Sequence, residues 1–135
     1  MKQHILFIDT DKDQLVVFLE ALKDISVEDG FKCTYATGPA HAAEMLKYLS
    51  PDFIFVGPNV SQLDYADLLA YLQRHIHHHD ARVYIIRQEE QETQVTLHGV
   101  SGILENSSSS WGLRSQLQNI FAPYLNSGYK LTAGT

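Results

Sequence analysis

The stretch Pro51-Asp52-Phe53-Ile54-Phe55-Val56-Gly57-Pro58-Asn59-Val60 decides the fold. From Phe53 to Gly57 every residue is apolar or small, and the run is bounded by Pro-Asp on one side and Gly-Pro on the other. A short continuous apolar run between turn signals reads as a strand buried on both faces. Strands of that kind belong to parallel sheets covered by helices. The run lies near the middle of the chain, with similar apolar runs before and after it, so it reads as the central strand. In doubly wound sheets, sites form beyond the carboxyl ends of strands, where the strand order reverses. Gly57 stands at such an end.

Before this strand, His4-Ile5-Leu6-Phe7-Ile8-Asp9 is a second buried strand that ends in an acid. Thr10 or Asp11 then caps a helix. Leu15, Phe18, Leu19, Leu22 and Ile25 recur at helical spacing between Lys12 and Asp29, and Gly30 stops that helix. Phe31, Cys33 and Tyr35 alternate with Lys32 and Thr34, as in an outer strand. Gly38-Pro39 opens a helix with proline in its tolerated first turn, and Ala42, Met45, Leu46 and Leu49 form its inward stripe. After the central strand, the spacing predicts a helix from Ser61 to Ile76, with Tyr65, Leu68, Leu69 and Leu72 on one side. A strand follows over Arg82–Arg87, then a weak, short helix between Glu89 and His98, and a strand over Gly99–Leu104. Ser107 to Ser110 cluster as helix caps. Leu113, Leu117, Ile120, Phe121 and Tyr124 build a last helix, and residues 126–135 read as a loose tail.

Five strands alternating with five helices imply right-handed crossovers and a parallel sheet covered on both faces. The expected class is α/β, a flavodoxin-like (βα)5 doubly wound sheet with strand order 2-1-3-4-5. A single domain over residues 1–125 accounts for the pattern. Asp9 and Gly57 end the two strands that flank the switch point, so they should be near neighbours.

Bulk properties narrow the function. The 135 residues suffice for one domain with a proper core. Ten basic against sixteen acidic residues give a net charge of −6. That balance opposes non-specific attraction to nucleic acid and to anionic membranes. Cys33 is the single cysteine, which excludes an intrachain disulfide and a thiolate metal cluster. The first residues lack the pattern of a signal peptide, and no apolar run approaches spanning length, so a cytoplasmic location is expected. No glycine-rich phosphate loop follows the first strand, which reads Thr10-Asp11-Lys12-Asp13, and no serine nucleophile elbow is present. An enzyme is not expected.

With Ile5-Leu6-Phe7-Ile8-Asp9, Pro51 to Val56 with Asn59 just beyond, and Gly99-Val100-Ser101-Gly102-Ile103-Leu104 in place, the chain resembles the receiver domain of two-component response regulators over roughly residues 3–125. The resemblance implies a phosphoryl group accepted on an aspartate that ends the third strand, assisted by Mg²⁺ on carboxylates after the first strand. A Thr or Ser on the fourth strand and a Lys on the fifth would contact that group. The residue types suit the chemistry. A hard cation needs oxygen ligands, the acceptor must be a carboxylate to form an acyl phosphate, and the added charge needs a cation and a hydroxyl donor close by.

Position by position, this chain departs from that pattern. The acceptor position is Gly57, which has no side chain to phosphorylate. The first-strand acidic pair reads Asp9-Thr10, with Asp11 as a candidate replacement. The hydroxyl position on the fourth strand is Arg87, the lysine position on the fifth is Asn106, and the aromatic switch position is Ile103. Asp9 and Asn59 alone match. The implied protein is a degenerate receiver, a pseudo-receiver in which Mg²⁺ binding is doubtful and no other cofactor is expected. Two arrangements are open for Arg87. It could reach roughly 10 Å across two strand spacings, over an open space at Gly57, and pair with Asp9. Otherwise it is exposed and unpaired, the commoner outcome because surface ion pairs are worth little.

The expected activity is contact with a protein partner in a phosphorelay: a histidine kinase, a phosphotransfer protein or an output protein. With no output domain in these residues, any effect passes through that partner. The face expected to carry the contact holds His98, Ile103, Trp111 and Arg114. Homodimerisation is open. The alternative is a small-molecule or metal sensor on the same fold. His75 and His79 have i, i+4 spacing that suits a transition metal, although a solvated helix end explains the histidines more simply.

Overall fold

The computed structural model describes residues 3–25, 31–75, 81–87, 100–105 and 110–132. The elements in order are β1 (Gln3–Ile8), α1 (Lys12–Ile25), β2 (Phe31–Ala36), α2 (Pro39–Met45), β3 (Phe53–Val56), α3 (Gln62–His75), β4 (Arg82–Arg87), β5 (Gly102–Glu105) and α4 (Ser110–Thr132). The five strands form one sheet in the order β2-β1-β3-β4-β5, and every pairing is parallel. The expected class and strand order are both present. The short helix read between residues 89 and 98 lies outside the described residues, as do His79, His98, Asn106 and Ser107 to Ser109.

The central strands read as unbroken apolar runs because both of their faces are covered. Side chains alternate across a strand, and the core divides accordingly. Ile5, Phe7, Phe53, Phe55, Tyr84, Ile86 and Leu104 pack against Phe18, Leu22, Leu113, Leu117 and Phe121 of α1 and α4. Leu6, Ile8, Ile54, Val56, Val83 and Ile85 pack on the other side against Ala42, Leu68 and Leu69 of α2 and α3. The first layer is aromatic. Phe7 stacks on Phe18 at 4.6 Å between ring centroids, Phe18 meets Phe55 at 5.0 Å, and Phe55 stacks on Tyr84 at 5.3 Å. Gly102 sits opposite Tyr84 in the sheet. A Cβ there would come within 3.1 Å of the Tyr84 ring, so a side chain at this position would crowd that stack.

Local chemistry sets the helix starts. Asp11, not Thr10, caps α1: its Oδ1 accepts the Asp13 N–H at 2.9 Å. Ser61 Oγ caps α3 by accepting the Asp64 N–H at 3.1 Å. Three boundaries differ from the sequence reading. α2 ends at Met45 and passes into a turn over residues 46–48. β5 begins at Gly102, and Ser101 before it is tied to Val83, its N–H donating to the carbonyl at 2.7 Å and its Oγ accepting the Val83 N–H at 3.3 Å. α4 continues to Thr132 past Pro123, where a loose tail was expected from residue 126. Leu113, Leu117 and Phe121 anchor the helix before that point, and each further residue adds a hydrogen bond to a turn already formed.

Candidate functional site

The switch point between β1 and β3 lies at their carboxyl ends. Gly57 extends the pairing by one bond, its N–H donating to the Ile8 carbonyl at 2.7 Å. On the other side, the Asp9 N–H donates to the Ala36 carbonyl at 3.2 Å. Asp9 and Gly57 are thus held side by side by the ladder, as the strand order requires.

Asp9 is wholly buried, with 0% exposure, and among the described residues it is the one buried charged or polar side chain in an otherwise apolar core. Its carbonyl accepts the Tyr35 O–H at 2.8 Å, and its Oδ1 accepts the Asp11 N–H at 2.9 Å. Its Oδ2 has no hydrogen-bond partner. The carboxyl lies against Gly57: a Cβ built on that glycine would overlap Oδ2 outright, and would sit 2.6 Å from Cγ and 2.8 Å from Cβ of Asp9. The space over Gly57 was expected to be open. It is filled by Asp9.

Burial pushes the Asp9 carboxyl above its ordinary range, because a charge with little water around it is costly. The backbone N–H groups of Asp11, Asn59 and Thr10 and the Asn59 amide act in the opposite direction, and burial outweighs them. The Tyr35 hydroxyl is also pushed up, first by burial and then by the charges of Asp9 and Asp11.

Arg87 takes neither arrangement open to it in the sequence. Its Nε donates to Glu105 Oε1 at 2.7 Å, and Nη2 reaches the same oxygen. Asp9 is not its partner. The two strands bring Arg87 and Glu105 directly opposite each other, and one strand spacing is a shorter reach than two. Gln116 of α4 fixes the end of β5. Its Oε1 accepts the Glu105 N–H and its Nε2 donates to the Glu105 carbonyl, both at 2.9 Å.

Glu105, Gln116 and Tyr35 were not singled out in the sequence. For Glu105 a signal existed: the fourth and fifth strands, Arg82–Arg87 and Gly102–Glu105, finish on a charge, and the charges are opposite. Of the expected partner face, Ile103 is 41% exposed on β5, Arg114 is half-buried on α4, and Trp111 lies by its backbone in the first turn of α4. Thr10 and Asn59 are exposed at the rim. His75 closes α3, and among the described residues no three His, Cys, Asp or Glu side chains converge as a metal site would require. No described helix is long and apolar enough to cross a membrane.

No family model matches the chain, and no curated protein matches its sequence. Solved structures do match its shape. A CheY-like response-regulator receiver domain from Methylobacillus flagellatus has 16% identity and a TM-score of 0.69, over 89% of this chain and 99% of that one. The chemotaxis response regulator CheY4 of Vibrio cholerae has 14% identity and a TM-score of 0.69, over 89% and 99%. A structure described as a pilus assembly protein (cpaE), from Burkholderia thailandensis, has 16% identity and a TM-score of 0.66, over 87% and 96%. With the strand order, the parallel pairing and the site at the β1–β3 switch point, these likenesses identify the fold as that of response-regulator receiver domains.

Proposed function

We propose that the chain is a receiver-like signalling module of the two-component class, a binding module and not an enzyme, which takes no phosphoryl group at the end of β3 and acts by contact with a protein partner. One observation carries this reading: the volume needed by a side chain at residue 57 is already occupied by the Asp9 carboxyl. An acyl phosphate requires a carboxylate that solvent and donor can reach, and Gly57 is buried and has none. Of the positions expected to contact a phosphoryl group, Arg87 is committed elsewhere, since it is held by Glu105, which Gln116 fixes in turn. A pocket tied up internally supports a surface that does not depend on aspartyl phosphate. The surface favoured is the one bearing Ile103, Trp111 and Arg114, and the partner class is a histidine kinase, a phosphotransfer protein or an output protein.

The test has two arms. The chain is incubated with a small phosphodonor and Mg²⁺ beside an active receiver, and intact mass is measured; no phosphoryl adduct is expected, and a stable one would overturn the reading. Purified two-component proteins of the same cell are then titrated against the chain and its Ile103→Glu and Arg114→Glu variants. At least one should bind, at least tenfold more weakly to the variants. Binding by none would refute the proposed class of partner.

A further inference from the structure

The resemblance to receivers implies Mg²⁺ at the carboxylates after β1, and the residues present do not fit that ion. Mg²⁺ asks for near-octahedral oxygen ligands at about 2.0–2.1 Å and sheds water reluctantly. Thr10 offers a hydroxyl where the pattern has an acid. Asp11 has one carboxylate oxygen engaged on the first turn of α1. Gly57 offers no side chain. An orphaned buried oxygen such as Asp9 Oδ2 is what a missing cation can leave behind, but this one has no exposure and lies where a Cβ of residue 57 would stand.

We infer that Asp9 has become a plug. Its carboxyl fills the volume that the Cβ of any residue 57 side chain needs, so the first-strand acid and an acceptor side chain exclude one another in this backbone. Restoring an aspartate at 57 by itself then restores neither an acceptor nor a cation site. The two positions must change together. This deepens the functional reading, since it concerns the same strand ends, but it depends only on how two residues pack. Phosphorylation at some other residue would defeat the functional reading and leave the plug intact.

The native chain is titrated with Mn²⁺ while its amide NMR signals are recorded. The plug predicts no saturable broadening at Asp9, Asp11 or Gly57 at millimolar Mn²⁺. Saturable broadening of Asp9 and Gly57 would overturn it, because Asp9 would have to swing outward to bind. In parallel, urea midpoints are compared for Gly57→Asp, Asp9→Ala and the double variant. Gly57→Asp should lower the midpoint, and adding Asp9→Ala should recover at least half of the loss. An unchanged midpoint for Gly57→Asp, or no recovery in the double variant, would overturn the inference. If Gly57→Asp does not fold, Gly57→Ala enters the same comparison, and the Mn²⁺ titration needs no variant.

Discussion

Replacing Gly57 with alanine adds one methyl group, and two effects of opposite sign compete. At an ordinary backbone conformation the change from Gly to Ala stabilises by about 0.4–1 kcal/mol, by narrowing the unfolded ensemble. Against it stands the space available. The new Cβ would lie 2.6 Å from Asp9 Cγ and 2.8 Å from its Cβ, and would overlap Oδ2, whereas carbon atoms rest at about 3.5–4.0 Å. Either the strands part, at about 1–3 kcal/mol for overpacking, or Asp9 leaves. Leaving gives up the bond from the Asp11 N–H, at about 1–3 kcal/mol for a hydrogen bond to a buried acceptor. Both routes exceed the entropic gain, so a net destabilisation of about 1–2 kcal/mol is expected. For a chain of this length that lowers the melting temperature by roughly 3–7 °C. Urea unfolding and calorimetry on wild type, Gly57→Ala, Asp9→Ala and the double variant should give a coupling of about 1–2 kcal/mol, with the double variant more stable than additivity allows. A Gly57→Ala protein as stable as wild type, or an additive cycle, would refute the steric argument.

Three further outcomes are expected. Arg87 and Glu105 side chains are 34% and 44% exposed, so a double-mutant cycle on the pair should give no more than about 1 kcal/mol, and the coupling should shrink in high salt. Gln116→Leu unties both backbone groups of Glu105 and should cost about 1–2 kcal/mol, with faster hydrogen exchange at the Glu105 amide as the local readout. The raised Asp9 carboxyl means that the folded state binds its proton more tightly than the unfolded state, so this group's contribution to stability falls as pH rises from 3.8 toward the folded value. The fall is at most about 1.4 kcal/mol per pH unit, and Asp9→Asn should remove that part of the slope in urea titrations across this window; an unchanged slope would show that Asp9 does not carry it.

Hydrophobic periodicity alone was enough for the α/β class, the strand order and the neighbourhood of Asp9 and Gly57. Continuous apolar runs such as Phe53 to Val56 are stable only when covered on both faces, and strands separated by helices have few ways to do this. The core therefore followed from composition along the chain. The vacancy at residue 57 was also legible, because the absence of a carboxylate requires no geometry to see. What fills that vacancy depended on the fold. The Asp9 carboxyl turns inward over Gly57 because the ladder sets the two residues side by side, and Asp11 is drawn to cap α1. Arg87 pairs with Glu105, not Asp9, because the register places opposite charges across one strand spacing. Side-chain direction and cross-strand register belong to no single segment of the chain, and only the assembled sheet decides them.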